Sequence, residues 1–291
     1  MGNDSEKNIG TFMIKSRMQL NALIRNKAAG DGDKAQILLR IYMMERLLER
    51  ISVSRYRDNF ILKGGMLVSS LVGVDMRTTM DIDTTVRALP LTQEKAREFL
   101  EEIIAIDLED NVSFRITKVE DIMEGHEYEG IRFHIEGAIE KLRQTIKIDI
   151  STGDAITPAA VEYELPLILE NRKIGLWAYN TETLLAEKLE TVMTRAEANT
   201  RMRDFYDIYI LTCQEAIIIN PVHLKEAFTA TCRKRGSESV IPSFDEVLES
   251  IEALPEMQDT WENYRKNNSY VEDLTWSEAV RAVKLLKGQI D

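Results

Sequence analysis

The stretch that decides the fold is Phe60-Ile-Leu-Lys63-Gly64-Gly65-Met-Leu-Val-Ser-Ser-Leu-Val-Gly-Val-Asp-Met-Arg77-Thr-Thr-Met80-Asp81-Ile82-Asp83-Thr84. A short apolar run leads straight into a glycine pair, and Leu67–Val72 then reads as helix. Glycines at a helix start let backbone N–H groups approach a phosphate closely, because no Cβ stands in the way. A glycine pair alone is more often a plain turn. The sharper feature is the alternation of carboxylate and apolar residues over Met80–Thr84. Residues two apart on a strand project to one face, so Asp81 and Asp83 stand side by side. Like charges that close are costly unless a cation lies between them. Magnesium takes oxygen ligands, typically one or two carboxylates plus substrate phosphates. On its own, Asp-x-Asp is more often a charged strand edge that resists aggregation.

Working outward, Val112–Ile116, Ile131–Ile135 and Ile146–Ile150 each carry an apolar residue at every second position. Each run therefore buries one face and offers a polar row on the other. Asp149 belongs to such a polar row, beside Lys147. Glycine pair, helix, Asp-x-Asp strand and single-Asp strand is the order used for two-metal nucleotidyl transfer, which predicts Asp81, Asp83 and Asp149 as ligands of two magnesium ions. Upstream, Ile37, Leu38, Ile41, Leu47, Leu48 and Ile51 predict an amphipathic helix over Lys34–Val53. Thr92–Ile104 reads as a further helix. After Trp177 the strand signal ends. Helices are predicted at Thr181–Thr194, Arg203–Ala216, Pro221–Arg233, Asp245–Ile251, Met257–Lys266 and Ser277–Lys287. Capping-box spacing marks two starts, Ser243…Glu246 and Thr275…Glu278. The expected fold class is α+β: a mixed sheet covered by helices on one side in residues 1–176, with its N-terminal helix, and an all-helical domain in residues 177–291.

Composition sets the frame. The 291 residues are 44% hydrophobic and 30% charged, enough for a sizeable core without disulfides. Cys213 and Cys232 lack metal-ligand spacing and read as free thiols of a cytoplasmic protein. No signal pattern or membrane-length apolar run is visible, and the stretch up to Lys7 reads as a frayed terminus. The net charge of −12 argues against an indiscriminate nucleic-acid binder. It leaves room for a local basic patch such as Arg195, Arg201 and Arg203, whereas Arg233-Lys234-Arg235 reads better as a solvated helix end. His126, His134 and His223 show no metal or triad spacing and read as structural, and the three tryptophans as core or interface anchors.

In the second half, Asp204 and Asp207 lie three apart within Arg203-Asp-Phe-Tyr-Asp-Ile-Tyr-Ile-Leu211, on one helical face in apolar surroundings. A poorly solvated carboxylate needs a partner. No lysine or arginine follows on this helix as far as Val222, so Lys188 on the preceding helix is the natural candidate. Two readings stay open: an ion pair locking two helices, or Lys188 reaching a triphosphate as a mobile point charge. Arg77, just before the acidic pair, is a further phosphate candidate or simply a loop arginine.

Lys63-Gly64-Gly65-Met66-Leu67, then Arg77-Thr78-Thr79-Met80-Asp81-Ile82-Asp83, resembles the first motif of the AbiEii/AbiGii nucleotidyltransferase toxins, a branch of the polymerase-β-like superfamily. Lys147-Ile-Asp149-Ile-Ser-Thr-Gly-Asp154 is similar to the second motif, and Glu187-Lys-Leu-Glu190 with Arg203-Asp-Phe-Tyr-Asp-Ile208 to the later ones. The resemblance covers about Phe60 to Leu211. It implies a polymerase-β-like core and a nucleoside triphosphate substrate, with Gly64, Gly65, Arg77 and Lys188 contacting nucleotide. Asp207 would orient Lys188 or act as a base. It further implies an RNA acceptor such as the 3′ end of tRNA, phage defence, and a cognate antitoxin; a small-molecule or protein acceptor, or a non-catalytic nucleotide-binding or scaffold protein of the same fold, stays open as the alternative. Many superfamily members carry Gly-Ser where this chain has Gly64-Gly65, so a serine contact to phosphate is absent or replaced.

Overall fold

The computed structural model describes residues 12–122, 130–271 and 273–291. The stretch up to Lys7 and His126 lie outside the described residues. In chain order the first half gives α1 (Arg17–Ala28), α2 (Gly32–Val53), β1 (Phe60–Lys63), α3 (Gly64–Val72), β2 (Ile82–Val86) and α4 (Gln93–Ile104). Strands β3 (Val112–Ile122), β4 (Gly130–Ile139), β5 (Leu142–Thr152), β6 (Val161–Pro166) and β7 (Lys173–Ala178) follow. The remainder is helical: α5 (Thr181–Arg195), α6 (Met202–Thr212), α7 (Pro221–Arg235), α8 (Phe244–Ala253), α9 (Pro255–Lys266) and α10 (Trp276–Lys287). The strands form one mixed sheet in the order β3-β4-β5-β2-β1-β7-β6.

Two compact units divide the chain, and neither is continuous in sequence. The first comprises the chain up to Phe60, Thr79–Ser151 and Glu162–Leu176; the second comprises Ile61–Thr78, Thr152–Val161 and Trp177–Asp291.

In the first unit, β3–β4 and β4–β5 are antiparallel. The β4–β5 turn is tight, with Glu140 at a φ of 52°, and it sets Arg132 opposite Asp149 and His134 opposite Lys147. Between β3 and β4 the register shifts between Ile116 and Lys118, so Glu120 faces Arg132 and Lys118 faces His134. Ile131, Phe133 and Ile135 on β4, with Ile146, Ile148 and Ile150 on β5, form the buried apolar row. Gly137 lets α2 and β3 close on that row: a Cβ there would stand 2.9 Å from Phe114 Cε1 and 3.0 Å from Met43 Sδ. Asp31 caps α2 by accepting from Lys34 N–H at 3.0 Å. Phe99 of α4 meets Phe60 edge-on at 5.6 Å.

Helix α1 was not expected from the pattern, although Leu20, Ile24 and Ala28 are buried at one-turn intervals. Strands β6 and β7 were likewise not expected. Their alternation is short, and the exposed positions of β6 outnumber its one buried residue, Leu165.

In the second unit, β1 runs parallel to β7, with Ile61 opposite Trp177 and Leu62 opposite Ala178. Gly64 opens α3 at a φ of +62°, a backbone conformation that favours glycine. Asn180 caps α5 through Thr183 N–H at 2.7 Å. The capping box expected at Thr275 and Glu278 is formed. The one expected at Ser243 is not: Ser243 ends a 3₁₀ turn with φ −95° and ψ 7°, whereas capping needs extended backbone. Trp261 and Trp276 are buried as core anchors, and Trp261 Nε1 donates to the Leu274 carbonyl at 3.0 Å.

Candidate active site

In the first unit the registers of β3, β4 and β5 set their polar rows on one side of the sheet. Strand β2 begins at Ile82, so Asp81 sits in the bend at its mouth and not on the strand as the alternation predicts. Burial of Ile82 still turns Asp81 and Asp83 to the half-buried side. Thr79 Oγ1 donates to the Asp81 carbonyl at 3.2 Å and fixes the bend. Asp149 lies on the neighbouring strand, where Thr84 Oγ1 donates to its carbonyl at 3.0 Å and Thr85 and Ser151 bond across the same seam.

The three carboxylates differ in what already holds them. Asp149 is gripped by Arg132, whose Nε donates to Oδ1 at 2.8 Å and Nη2 to Oδ2 at 2.6 Å. Asp81 Oδ1 is buried and has no hydrogen-bond partner among the described residues, and the nearest cation is Lys147 Nζ at 3.8 Å. A buried acceptor left open is expensive, and a hard cation would satisfy it. Asp81, with Asp83 two residues on, therefore fits magnesium. Asp149 is not grouped with them: Arg132 engages both of its oxygens, and among the described residues no three acidic, histidine or cysteine side chains are grouped as ligands. Arg132 was not singled out in the sequence, although a two-residue turn at Glu140-Lys141 places it opposite Asp149.

The second unit brings together Arg77, Lys188, Asp204 and Asp207, all buried. Arg77 Nε donates to Asp207 Oδ1 at 2.7 Å and Nη2 to Oδ2 at 3.3 Å. Lys188 Nζ donates to Asp207 Oδ2 at 2.6 Å and to Asp204 Oδ1 at 2.9 Å. Arg201 Nε reaches Asp204 Oδ2 at 3.1 Å. Burial by itself would raise the Asp207 pKa, but the charges and hydrogen bonds of Arg77 and Lys188 outweigh it and hold the carboxyl at about 2. Burial likewise works against the Lys188 ammonium, and the two aspartates more than reverse it, so its pKa is raised. Tyr206 closes the cluster, its hydroxyl donating to the Met76 carbonyl at 2.6 Å.

The expected pairing of Lys188 with Asp207 is thus present, with Asp204 as a second partner. Arg77, expected beside phosphate, is spent on Asp207, and its side chain is only 1% exposed.

At the glycine pair, Lys63 precedes α3 with no side-chain cap. Its Nζ pairs with Asp154 at 2.5 Å, and Tyr179 hydroxyl donates to the same carboxylate at 2.6 Å. These anchors were also missed in the sequence. Arg235, expected to be solvated, instead pairs with Glu190 and with Glu187. His134 takes the structural role expected of it, 2.7 Å from Glu120.

Beside this geometry, the match to a family over most of the chain gives the class: the chain is a nucleotidyltransferase. It belongs to the family described as Nucleotidyl transferase AbiEii toxin, Type IV TA system, whose pattern matches residues 46–282, about four-fifths of the chain. Among solved structures, a candidate nucleotidyltransferase from H. pylori superposes with a TM-score of 0.51 at 15% identity, covering 88% of this chain and 94% of that one. JHP933 from Helicobacter pylori covers 88% of this chain and 93% of its own at 14% identity, with a TM-score of 0.44. An antigenic nucleotidyltransferase-like protein from Paracoccidioides brasiliensis covers 74% of this chain and 93% of its own at 14% identity, with a TM-score of 0.39. No curated protein matches in sequence. Among the described residues, no helix is long and apolar enough to cross a membrane.

Proposed function

We propose that this toxin transfers a nucleoside monophosphate from a nucleoside triphosphate to a hydroxyl of RNA, the 3′ end of tRNA being the acceptor, with magnesium bound at the aspartate face. The observation that carries the reading is Asp81 Oδ1, buried without a hydrogen-bond partner at the mouth of the Asp-x-Asp strand. Asp81 and Asp83 would hold the ions, with Asp149 as third ligand. Magnesium would lower the cost of deprotonating the acceptor and steady the charge on the triphosphate. The acceptor oxygen forms a bond to the α-phosphorus, the bond from that phosphorus to the bridging oxygen breaks, and pyrophosphate leaves with the electron pair. The acceptor proton is lost to solvent on the aspartate face.

Lys188 is held charged by Asp204 and Asp207 using two of its three N–H donors, which leaves one to offer a phosphate. Asp207 orients Lys188, and Arg77 acts as a positioning residue through Asp207. Gly64 and Gly65 supply backbone N–H groups to the triphosphate. In this reading residues 1–176 form the nucleotidyltransferase domain and residues 177–291 a helical one. The setting is the cytosol, as part of a phage-defence system whose antitoxin neutralises the activity.

The test is incubation of purified protein with magnesium, total tRNA and each α-labelled triphosphate. Label on tRNA with the wild type, and none with the Asp81→Ala/Asp83→Ala variant, is expected. Triphosphate binding with no labelled RNA would overturn the acceptor and leave the enzyme class standing.

A further inference from the structure

We propose that Arg132 is a latch on the cation site, gripping Asp149 in the resting protein and releasing it by turning to Glu120 on the opposite neighbouring strand. The inference rests on the reading of Asp81, Asp83 and Asp149 as cation ligands. It begins from the mismatch at Asp149: the residue needed as third ligand is the one whose two oxygens are both taken, at 2.8 and 2.6 Å. A bidentate guanidinium–carboxylate pair is the strongest form of that contact. It competes with a divalent cation on the same carboxylate, because guanidinium and metal would carry like charge at close range.

The register supplies the alternative position. Arg132 sits on the middle of three strands, directly opposite Asp149 on β5 and directly opposite Glu120 on β3. A long side chain in such a row can pair to either side. Glu120 can receive it: His134 and Lys118 take one oxygen each and hold the carboxyl ionised, down at about 2, and each oxygen keeps a second lone pair. Both Arg132 and Glu120 are about one-third exposed, 32% and 34%, so the swing breaks no core packing. The bistable element is therefore a single guanidinium between two carboxylates, and a cation entering beside Asp81 biases it toward Glu120. In the cation's absence the latch also relieves the repulsion among the three aspartates.

Binding of Mn²⁺ without nucleotide, followed by electron paramagnetic resonance of the free ion, tests this apart from activity. Arg132→Gln is expected to bind Mn²⁺ at least about fivefold tighter than wild type, since the competitor is gone, and Arg132→Lys to fall between. Glu120→Gln is expected to bind about threefold weaker, because the latch loses its second position. Asp81→Asn should lose most binding. If Arg132→Gln binds no tighter while Asp81→Asn still loses the ion, the latch is wrong and the cation site stands. If Asp81→Asn and Asp149→Asn bind like wild type, or nothing binds, the cation reading fails and takes the latch with it. Should Arg132→Gln misfold, the surface variant Glu120→Gln decides: unchanged or tighter binding overturns the proposal.

Discussion

Asp207 is fully buried and accepts from two cations at 2.6 and 2.7 Å, whereas Asp81 keeps 32% of its side chain exposed and, among the described residues, has only Lys147 within ion-pair range, at 3.8 Å. Both belong to clusters expected to do chemistry, yet they are built in opposite ways. The Arg77–Lys188–Asp204–Asp207 cluster is dry and its formal charges cancel, so the fold alone determines its geometry. The aspartate face is half-wet, and Asp81 Oδ1 there is a buried acceptor with no hydrogen-bond partner among the described residues. Electrostatics that are complete without a ligand serve positioning; electrostatics left incomplete serve binding. Substitutions in the first cluster should therefore cost stability, and substitutions in the second should cost transfer alone.

The largest effect tests the second half of that contrast. Asp81→Ala/Asp83→Ala is expected to lower transfer at least about a thousandfold, the scale of removing groups that stabilise transition-state charge directly. The variant should stay folded, as read by its melting temperature. A collapse in stability would move the aspartate face into the structural class.

Next comes Asp207→Ala, which strands two buried cations. Breaking a buried pair from one side costs about 3–5 kcal/mol, a fall in melting temperature of about 10 °C for a chain this size. The pH dependence has a definite sign. With its pKa held near 2, below the ordinary 3.8, Asp207 contributes stability that is present above pH 3.8 and lost as pH falls through about 2. The gap between wild type and Asp207→Asn should therefore shrink across that window in thermal melts.

Glu45 on α2 asks whether burial of a charge by itself signals function. Burial pushes its carboxyl up to about 8, although Ile168 N–H and Arg46 work against the rise, and Oε2 has no hydrogen-bond partner among the described residues. The folded state holds this proton more tightly than the unfolded chain, whose value is near 4.5. The contribution is complete below pH 4.5 and lost as pH rises through about 8. Glu45→Gln should consequently gain on wild type as pH rises, by at least about 2 kcal/mol at pH 9 in denaturant titrations, with transfer unchanged. Lost transfer would mean that the dry clusters of both units serve the reaction.

The sequence made one region far more legible than the other. Carboxylate alternation marked Asp83 and Asp149 as strand residues, because a strand's two-residue period is strong and local, but it also put Asp81 on the strand, where the structure has a bend. Pairing Lys188 with Asp207 followed from an accounting of charges in an apolar helix. Partners set by register or by the start of a strand were harder. Arg132 became visible only once the Glu140-Lys141 turn fixed which residues face each other, and Arg77 only once the loop carried it back to α6. Capping shows the same limit: Thr275-x-x-Glu278 and Ser243-x-x-Glu246 have identical spacing, yet only Thr275 has the extended backbone a cap needs.

The smallest expected effect sharpens the comparison furthest. Lys147 Nζ stands 3.8 Å from Asp81 Oδ1 with its side chain 40% exposed, and pairs of that kind are worth about 0.2–1 kcal/mol. Lys147→Gln removes a positive charge from the aspartate face without stranding any buried ion. Cation affinity is expected to rise about twofold to threefold, with the melting temperature changed by less than about 2 °C. Salt separates the two clusters independently. At about 1 M salt the screening length falls to roughly 3 Å, so the Lys147→Gln gain in affinity should vanish while the Asp207→Ala deficit persists. A Lys147→Gln effect that survives high salt would mean water does not reach the Asp81 carboxylate. The aspartate face would then belong with the dry cluster, and its incompleteness would need an explanation other than a missing ligand.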